Sequence, residues 1–120
     1  MCIRDSSTTL PYRASPAGGA YSTVGDLVKF IQALEQGRLI SKATLIEATK
    51  PQNTQHWYGY GFMVGADGPQ HWFGHEGGAP GMNGMLKVYP DSGYIVLCLS
   101  NADSTSADRL VNFFTYRMPI

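Results

Sequence analysis

Apolar residues recur at helical spacing in the first half of the chain. One stripe consists of Leu27, Phe30, Ile31 and Leu34. This stripe predicts an amphipathic helix, with Thr23 as its N-cap, Asp26 in its first turn and Gly37 at its C-terminal end. A second, shorter helix is predicted to begin at Ser41 and to stop before Pro51.

From Tyr58 onward, the pattern changes to the short apolar and aromatic runs that are typical of strands. Four runs follow one another: WYGYGFMV, QHWFGHEG, GMNGMLKVYP and YIVLCLSN. The PDSG segment has proline first and glycine last, which is typical of a tight turn. Because YIVLCLSN is almost continuously apolar, we expect both faces of that strand to be covered. The aromatic residues of the first run are expected to cover the sheet, or, for Trp57 and Tyr58, to rim a cleft.

The C-terminal segment TSADRLVNFFTYRM predicts a final helix that is capped by Thr105 or Ser106. Its broad apolar face would carry Leu110, Val111, Phe113 and Phe114. Two helices, an antiparallel meander and a C-terminal helix packed on the sheet define an α+β fold. Before them, we expect residues 1–15 to be a disordered leader or a non-native start, because this segment is polar and lacks periodicity.

Composition narrows the possible functions. The 120 residues match one domain of ordinary size, and nine basic residues balance nine acidic ones. Since the chain has no net charge and no basic cluster, nucleic acid is not an expected partner. No apolar run approaches the roughly 18 residues that a membrane-spanning helix needs. The two cysteines, Cys2 and Cys98, form neither a disulfide framework nor a zinc pattern.

The segment FGHEGGAPGMNG carries the candidate chemistry, because it combines a histidine, an acid and a glycine cluster. A zinc site is disfavoured, since His71 and His75 lie four residues apart in a predicted strand, a separation of roughly 13 Å. A phosphate loop is also disfavoured, because a strand and not a helix follows Gly78, Gly81 and Gly84. We therefore expect no metal and no cofactor. A glycine-rich turn without function is the alternative that the residues alone leave open.

The order of several segments resembles the C-terminal part of the serine β-lactamase-like family, which includes class C β-lactamases, D-alanyl-D-alanine peptidases, esterases and D-aminopeptidases. The segments are PAGGAYSTVGDLVKFIQAL, YGYGF, FGHEGGAPGMNG, VYPDSGYIVLCLSN and the final helix. The resemblance implies that residues 16–120 form the C-terminal portion of a β-lactamase/transpeptidase-like domain. Members of this family are often exported, but the chain shows no signal, so its compartment stays open.

In that family, a strand motif of the form Lys-Thr-Gly or His-x-Gly lines the active site, and His75-Glu76-Gly77 matches the second form. The resemblance implies that His75 donates or transfers a proton and that the Gly78 N–H binds the developing oxyanion. Glu76 and Gly77 would line the substrate. The charge of Glu76 would repel the carboxylate of a β-lactam. Asp103, just after the last strand, is a weaker candidate.

The family's nucleophile lies in Ser-x-x-Lys, followed by Tyr-x-Asn or Tyr-x-Ser, and none of these motifs occurs in the 120 residues. The implied function is therefore that of a fragment of a serine hydrolase, which acts through an acyl-serine on a small ester, amide or β-lactam and lacks its nucleophile here. A non-catalytic homologue that binds a ligand or a partner is one alternative. A stand-alone structural module is another.

Overall fold

The computed structural model describes residues 14–119, which form three helices and one four-stranded antiparallel sheet. The helices are α1 (Val24–Glu35), α2 (Lys42–Ala48) and α3 (Ser106–Thr115). The strands lie in chain order as β1 (Met63–Asp67), β2 (Gln70–Ala79), β3 (Met82–Tyr89) and β4 (Tyr94–Ser100). The predicted α+β meander is confirmed. Of the predicted leader, residues 1–13 lie outside the described residues.

The first two helices begin and end where the sequence predicts. Thr23 Oγ1 accepts the Asp26 N–H at 3.2 Å, and Ser41 Oγ accepts the Thr44 N–H at 3.0 Å. Gly37 has a φ of 73°, in the left-handed region that favours glycine, and its N–H bonds back to the last turn of α1. This C-cap reverses the chain and leads it into α2.

Helices cover both faces of the sheet. α1 and α2 lie on one face, where the buried core consists of Ile31, Leu34, Leu45, Val64, Phe73 and Val88. α3 lies on the opposite face, where Ala107 and Val111 pack against Met85 of β3. Because successive strand residues point to opposite faces, β3 contributes Val88 to one core and Met85 to the other.

The prediction that both faces of β4 are covered holds for the middle of the strand and is wrong for its ends. Within residues 14–119, β4 is an edge strand of the sheet, and Tyr94 and Leu99 expose 42% and 45% of their surface. Helices cover its middle, since Ile95 joins the core beneath α1 and α2 while Val96 packs with α3. At its far end, Leu99 borders an open cleft beside Leu27 of α1. An apolar run therefore indicated a buried strand where only part of the strand is buried.

The apolar face predicted for α3 is divided in the structure. The residues that face the sheet are spaced by four and are buried: Ala107, Val111 and Thr115. Leu110, Phe113 and Phe114 lie on the outer side and expose about half of their surface, from 46% to 51%. A helix that lies on a flat sheet buries a single line of side chains, which is narrower than the predicted face.

The first aromatic run is a loop rather than a strand until Met63, where β1 begins. An isolated bridge joins Tyr58 to Met63. A Cβ on Gly59 would lie 2.1 Å from the Ala48 carbonyl oxygen, so only glycine allows the loop to pack this closely against the end of α2. This contact directs Tyr58 toward β2.

A buried ion pair lies on the α3 side of the sheet. Lys87 is 3% exposed, and its Nζ lies 2.7 Å from Asp67 Oδ2. The same oxygen accepts the Tyr89 hydroxyl at 2.5 Å, and Lys87 Nζ also lies 4.7 Å from the centre of the Trp72 ring. Burial, followed by the bond to Asp67, raises the pKa of Tyr89 above its ordinary value.

We expect this raised pKa to make the protein lose stability at alkaline pH. The folded state holds the Tyr89 proton more tightly than an unfolded chain, whose tyrosine pKa is about 10. The stabilisation that comes from this difference in pKa is therefore complete below about pH 10. As pH rises further, the free energy of unfolding falls by up to about 1.4 kcal/mol per pH unit. Denaturant melts from about pH 8 to 11 should show a shallower decline in Tyr89→Phe than in the wild type. Equal slopes would contradict this role.

Candidate active site

The His-x-Gly motif lies on a half of β2 that has one open edge. β1 pairs with β2 only as far as Gly74, and from His75 to Ala79 the strand pairs with β3 alone within residues 14–119. All four predicted site residues are exposed there: His75, Glu76, Gly77 and Gly78. An open strand edge offers backbone N–H and C=O groups to an extended ligand.

Two hydrogen bonds orient the His75 imidazole. Its Nδ1 lies 2.6 Å from the Glu76 carbonyl oxygen, and its Nε2 lies 2.9 Å from Tyr58 Oη. A carbonyl oxygen can only accept, so Nδ1 carries a proton, and in the neutral ring Nε2 accepts the Tyr58 hydroxyl proton. The two rings also pack edge-to-face, with centroids 5.7 Å apart. The arrangement leaves Nε2 as the proton-accepting atom of the ring.

Tyr58 is held in turn by the loop that precedes β1. Asn53 Oδ1 accepts the N–H groups of Trp57 and Tyr58 at 3.0 and 3.1 Å, and the two aromatic rings pack edge-to-face. The sequence suggested that Tyr58 covers the sheet or rims a cleft. Its partnership with His75 spans 17 residues and leaves no local pattern in the sequence.

The strand pleat separates the four motif residues between two faces. The ring of His75 and the position of Gly77 lie on the face that carries α1, whereas Glu76 and Gly78 lie on the face that carries α3. Among the described residues, no atom lies within 4 Å of a Cβ built on Gly77, so this face is open above the strand. A Cβ on Gly78 would lie 2.7 Å from Ser104 Oγ, so a side chain there would displace Ser104. The Glu76 side chain lies on the face opposite to the His75 ring, so Glu76 contacts that ring through its backbone carbonyl oxygen.

Clefts lie on both sides of this half-strand. One, of about 200 Å³, places His75 next to three apolar side chains, which are Leu27, Leu86 and Leu99. Another, of about 440 Å³, lies past the motif and is lined by Gly78, Ala79, Pro80, Asp103 and Ser104. Apolar walls with a few polar groups are typical of small-molecule sites, and the first cleft suits the hydrocarbon part of a ligand.

Asp103 lies close to the motif, as the sequence suggested, and supports the turn that follows it. Its Oδ1 accepts the Gly81 N–H at 2.7 Å. Gly81 has a φ of 77°, which favours glycine at this position. The carboxylate thus connects the turn between β2 and β3 with the segment that follows β4.

Asn83 is a structural element of the site that the sequence analysis did not identify. Its side chain is 6% exposed, its Nδ2 donates to the Gly77 carbonyl oxygen at 3.0 Å, and its Oδ1 accepts the Ala107 N–H at 2.6 Å. Thr105, one of the two predicted capping residues, does precede α3 at the N-cap position, but its side chain makes no capping bond within the described part of the chain. Asn83 supplies the acceptor from 24 residues away, beyond the reach of any local sequence signal.

Across residues 14–119, no helix is long and apolar enough to cross a bilayer. The same residues contain no group of three or more His, Cys, Asp or Glu side chains that could hold a metal ion.

The His-x-Gly motif thus lies on an open strand edge, in a sheet with helices on both faces. The chain belongs to the β-lactamase family, since the family model described as Beta-lactamase matches residues 2–116. This match includes most of the segment predicted as a leader. Curated protein sequences give no significant match.

Among solved structures, the chain is similar to the penicillin binding protein from Bacillus halodurans, with a TM-score of 0.78 and 24% sequence identity. The similarity covers 92% of this chain and 35% of that protein. At this identity, the likeness shows the fold. The chain thus spans about a third of the length of the protein that it matches, and its fold is part of a β-lactamase-type fold.

Proposed function

We propose that these residues form one wall of the active site of a serine hydrolase, which acts through an acyl-serine intermediate on a small ester, amide or β-lactam. The observation that carries this proposal is the His75 imidazole, which is held between Tyr58 and the Glu76 carbonyl on the open edge of β2. Membership of the β-lactamase family supports the reaction class.

The His75–Tyr58 pair has the chemistry to hold and return a proton. In the neutral ring, Nε2 accepts from the Tyr58 hydroxyl across 2.9 Å. When a proton binds at Nε2, the ring donates instead, and the Tyr58 oxygen accepts without any movement of heavy atoms. An imidazole that can accept and return a proton in this geometry suits proton transfer to the leaving group of an acyl substrate.

The backbone next to His75 would contact the reacting carbonyl. We assign the Gly78 N–H as an oxyanion donor, a contact commonly worth about 3–4 kcal/mol of transition-state stabilisation. The open space above Gly77 leaves room for the substrate, and the apolar cleft beside His75 would receive its hydrocarbon part. Glu76 is assigned to the same substrate-binding edge through its backbone. Because its side chain lies on the other face, we expect it to repel a β-lactam carboxylate only weakly.

The nucleophile belongs to a part of the fold that these residues do not supply, since no serine here is followed by lysine at the third position. A serine hydroxyl without a nearby base is a poor nucleophile. We therefore expect the 120-residue chain to show no labelling by a fluorophosphonate probe or a fluorescent penicillin. We also expect it to hydrolyse a chromogenic cephalosporin or a nitrophenyl ester no faster than buffer does.

The control is the same chain joined to its upstream coding sequence, which should be labelled at one serine. Stoichiometric labelling of the 120-residue chain, abolished by denaturation, would contradict the placement of the nucleophile. A folded longer product that takes no label would favour the non-catalytic homologue. Thermal shifts with cell-wall peptides and β-lactams would then test whether that homologue binds a ligand.

A further inference from the structure

The peptide unit between Gly77 and Gly78 has a hydrogen bond at its oxygen end. The Gly77 carbonyl and the Gly78 N–H belong to the same planar group, so the direction of one fixes the direction of the other. Asn83 Nδ2 donates to this carbonyl at 3.0 Å. We propose that Asn83 is a positioning residue, which orients the Gly78 N–H toward the substrate oxyanion. The oxyanion role of that N–H rests on the proposed function.

The Asn83 amide is itself fixed in one orientation. Its Oδ1 accepts the Ala107 N–H at the start of α3, while its Nδ2 faces the Gly77 carbonyl. In a flipped amide, the NH2 group would face the Ala107 N–H and the oxygen would face the Gly77 carbonyl oxygen. Neither contact could be a hydrogen bond, so both partners favour the same orientation. Since Asn83 is 6% exposed, water competes little with either bond.

The residue opposite Asn83 leaves space for its amide. Gly78 pairs with Asn83 in the β2–β3 register, and a Cβ on Gly78 would lie 3.3 Å from Asn83 Nδ2. A side chain at Gly78 would therefore crowd the Asn83 amide slightly and Ser104 Oγ, at 2.7 Å, more strongly. Glycine at one position and asparagine at the other form a matched pair.

The two hydrogen bonds of Asn83 are also aligned, with both donors pointing the same way. The Ala107 N–H donates to Asn83 Oδ1, and the Asn83 amide donates to the Gly77 carbonyl, whose peptide ends in the Gly78 N–H. Aligned hydrogen bonds polarise one another, so a donor on the carbonyl oxygen strengthens the N–H at the other end as a donor. Asn83 thus affects both the direction and the strength of the proposed oxyanion donor.

The variant Asn83→Asp separates this role from helix capping. A carboxylate keeps an acceptor for the Ala107 N–H but faces the Gly77 carbonyl without a proton to donate. When the carboxyl is protonated at lower pH, it regains a donor of nearly the same shape. Asp103→Asn is the matched control, because it keeps an acceptor for the Gly81 N–H and does not touch the Gly77–Gly78 peptide.

The first measurement uses the isotope-labelled 120-residue chain in solution. We expect a through-hydrogen-bond coupling between Asn83 Nδ2 and the Gly77 carbonyl carbon in the wild type. In Asn83→Asp, the Gly78 amide signal should shift at neutral pH and return on acidification, while the Ala107 amide stays bonded. In Asp103→Asn, the Gly78 signal should stay in place. A folded wild type without the coupling would overturn the proposal, even where the variant does not fold.

The second measurement uses the chain joined to its upstream coding sequence, once the active-site probe has labelled it at one serine. We expect Asn83→Asp to lower kcat about 10- to 100-fold with little change in KM, which is less than the loss of a whole oxyanion donor. The loss should be smaller at lower pH. An active enzyme whose Asn83→Asp variant keeps its kcat would overturn the positioning role. An inactive longer product would instead overturn the proposed function, and with it the oxyanion role. The through-hydrogen-bond coupling would still test the contact between Asn83 and the Gly77 carbonyl separately.

Discussion

The variant His75→Ala should turn over substrate about 10²- to 10⁴-fold more slowly than the complete enzyme, which is the usual contribution of a general acid–base group. The change removes Nε2, which accepts the hydrogen bond from the Tyr58 hydroxyl. Nε2 is also the atom proposed to carry the transferred proton. The fold should survive, because His75 is exposed on an open strand edge and lies outside both buried cores. The effect should therefore appear in kcat and not in the melting temperature.

The matched control is His71→Ala, which removes the other exposed histidine of the same strand. His71 lies opposite Ala66 in the paired half of β2, four residues from His75. We expect this variant to keep its activity. Tyr58→Phe keeps the edge-to-face ring but removes the hydroxyl, so it should change the pH profile of kcat. Full turnover by His75→Ala would show that the histidine is structural and that the role implied by the family does not apply here.

The parts of the fold that the sequence predicted well depend on neighbouring residues. The caps at Thr23, Ser41 and Gly37 each satisfy backbone groups within one helical turn, so their residue types identify them. The turn before β4 is similar, because Gly93 adopts a φ of 74° directly after PDS. Where a local signal determines the conformation, the sequence is sufficient to locate the element.

The errors arise where burial or capping depends on distant parts of the chain. β4 has the composition of a covered strand, but Leu99 is 45% exposed, because it lines an open cleft beside Leu27 of α1. α3 has the composition of a wide apolar face, but Phe113 points away from the sheet. Apolar composition shows that a surface is suited to burial. It does not show which element buries it.

The candidate site also combines features set by neighbouring residues with features set by distant ones. The motif predicts roles for His75 and Gly78 from residues that are neighbours in the sequence, because the family's motif lies on one strand. Their supports come from elsewhere: Tyr58 lies 17 residues from His75, and Asn83 lies 24 residues from the Ala107 N–H that it caps. A side chain that acts on a distant backbone group has no fixed sequence spacing, so only the folded chain reveals it.

The buried ion pair is another long-range feature, and breaking it should have the largest effect on stability. We expect Asp67→Ala to lower the free energy of unfolding by about 3–5 kcal/mol. The variant leaves the ammonium of Lys87, whose side chain is 4% exposed, without its carboxylate, and it also removes the acceptor of the Tyr89 hydroxyl. Since a domain is stable by only about 5–15 kcal/mol, denaturant melts should detect this loss easily.

Two further variants determine whether the loss comes from the unpaired charge. Glu47→Ala breaks the Lys50–Glu47 pair, which has a similar length of 2.9 Å but exposes more than half of each side chain. It should cost less than about 1 kcal/mol, because water screens that pair. Replacing both buried partners, as in Asp67→Leu with Lys87→Met, should recover much of the stability lost in Asp67→Ala, since an apolar pair leaves no charge to desolvate. If Asp67→Ala costs no more than Glu47→Ala, water reaches Lys87 and the pair is not buried in solution.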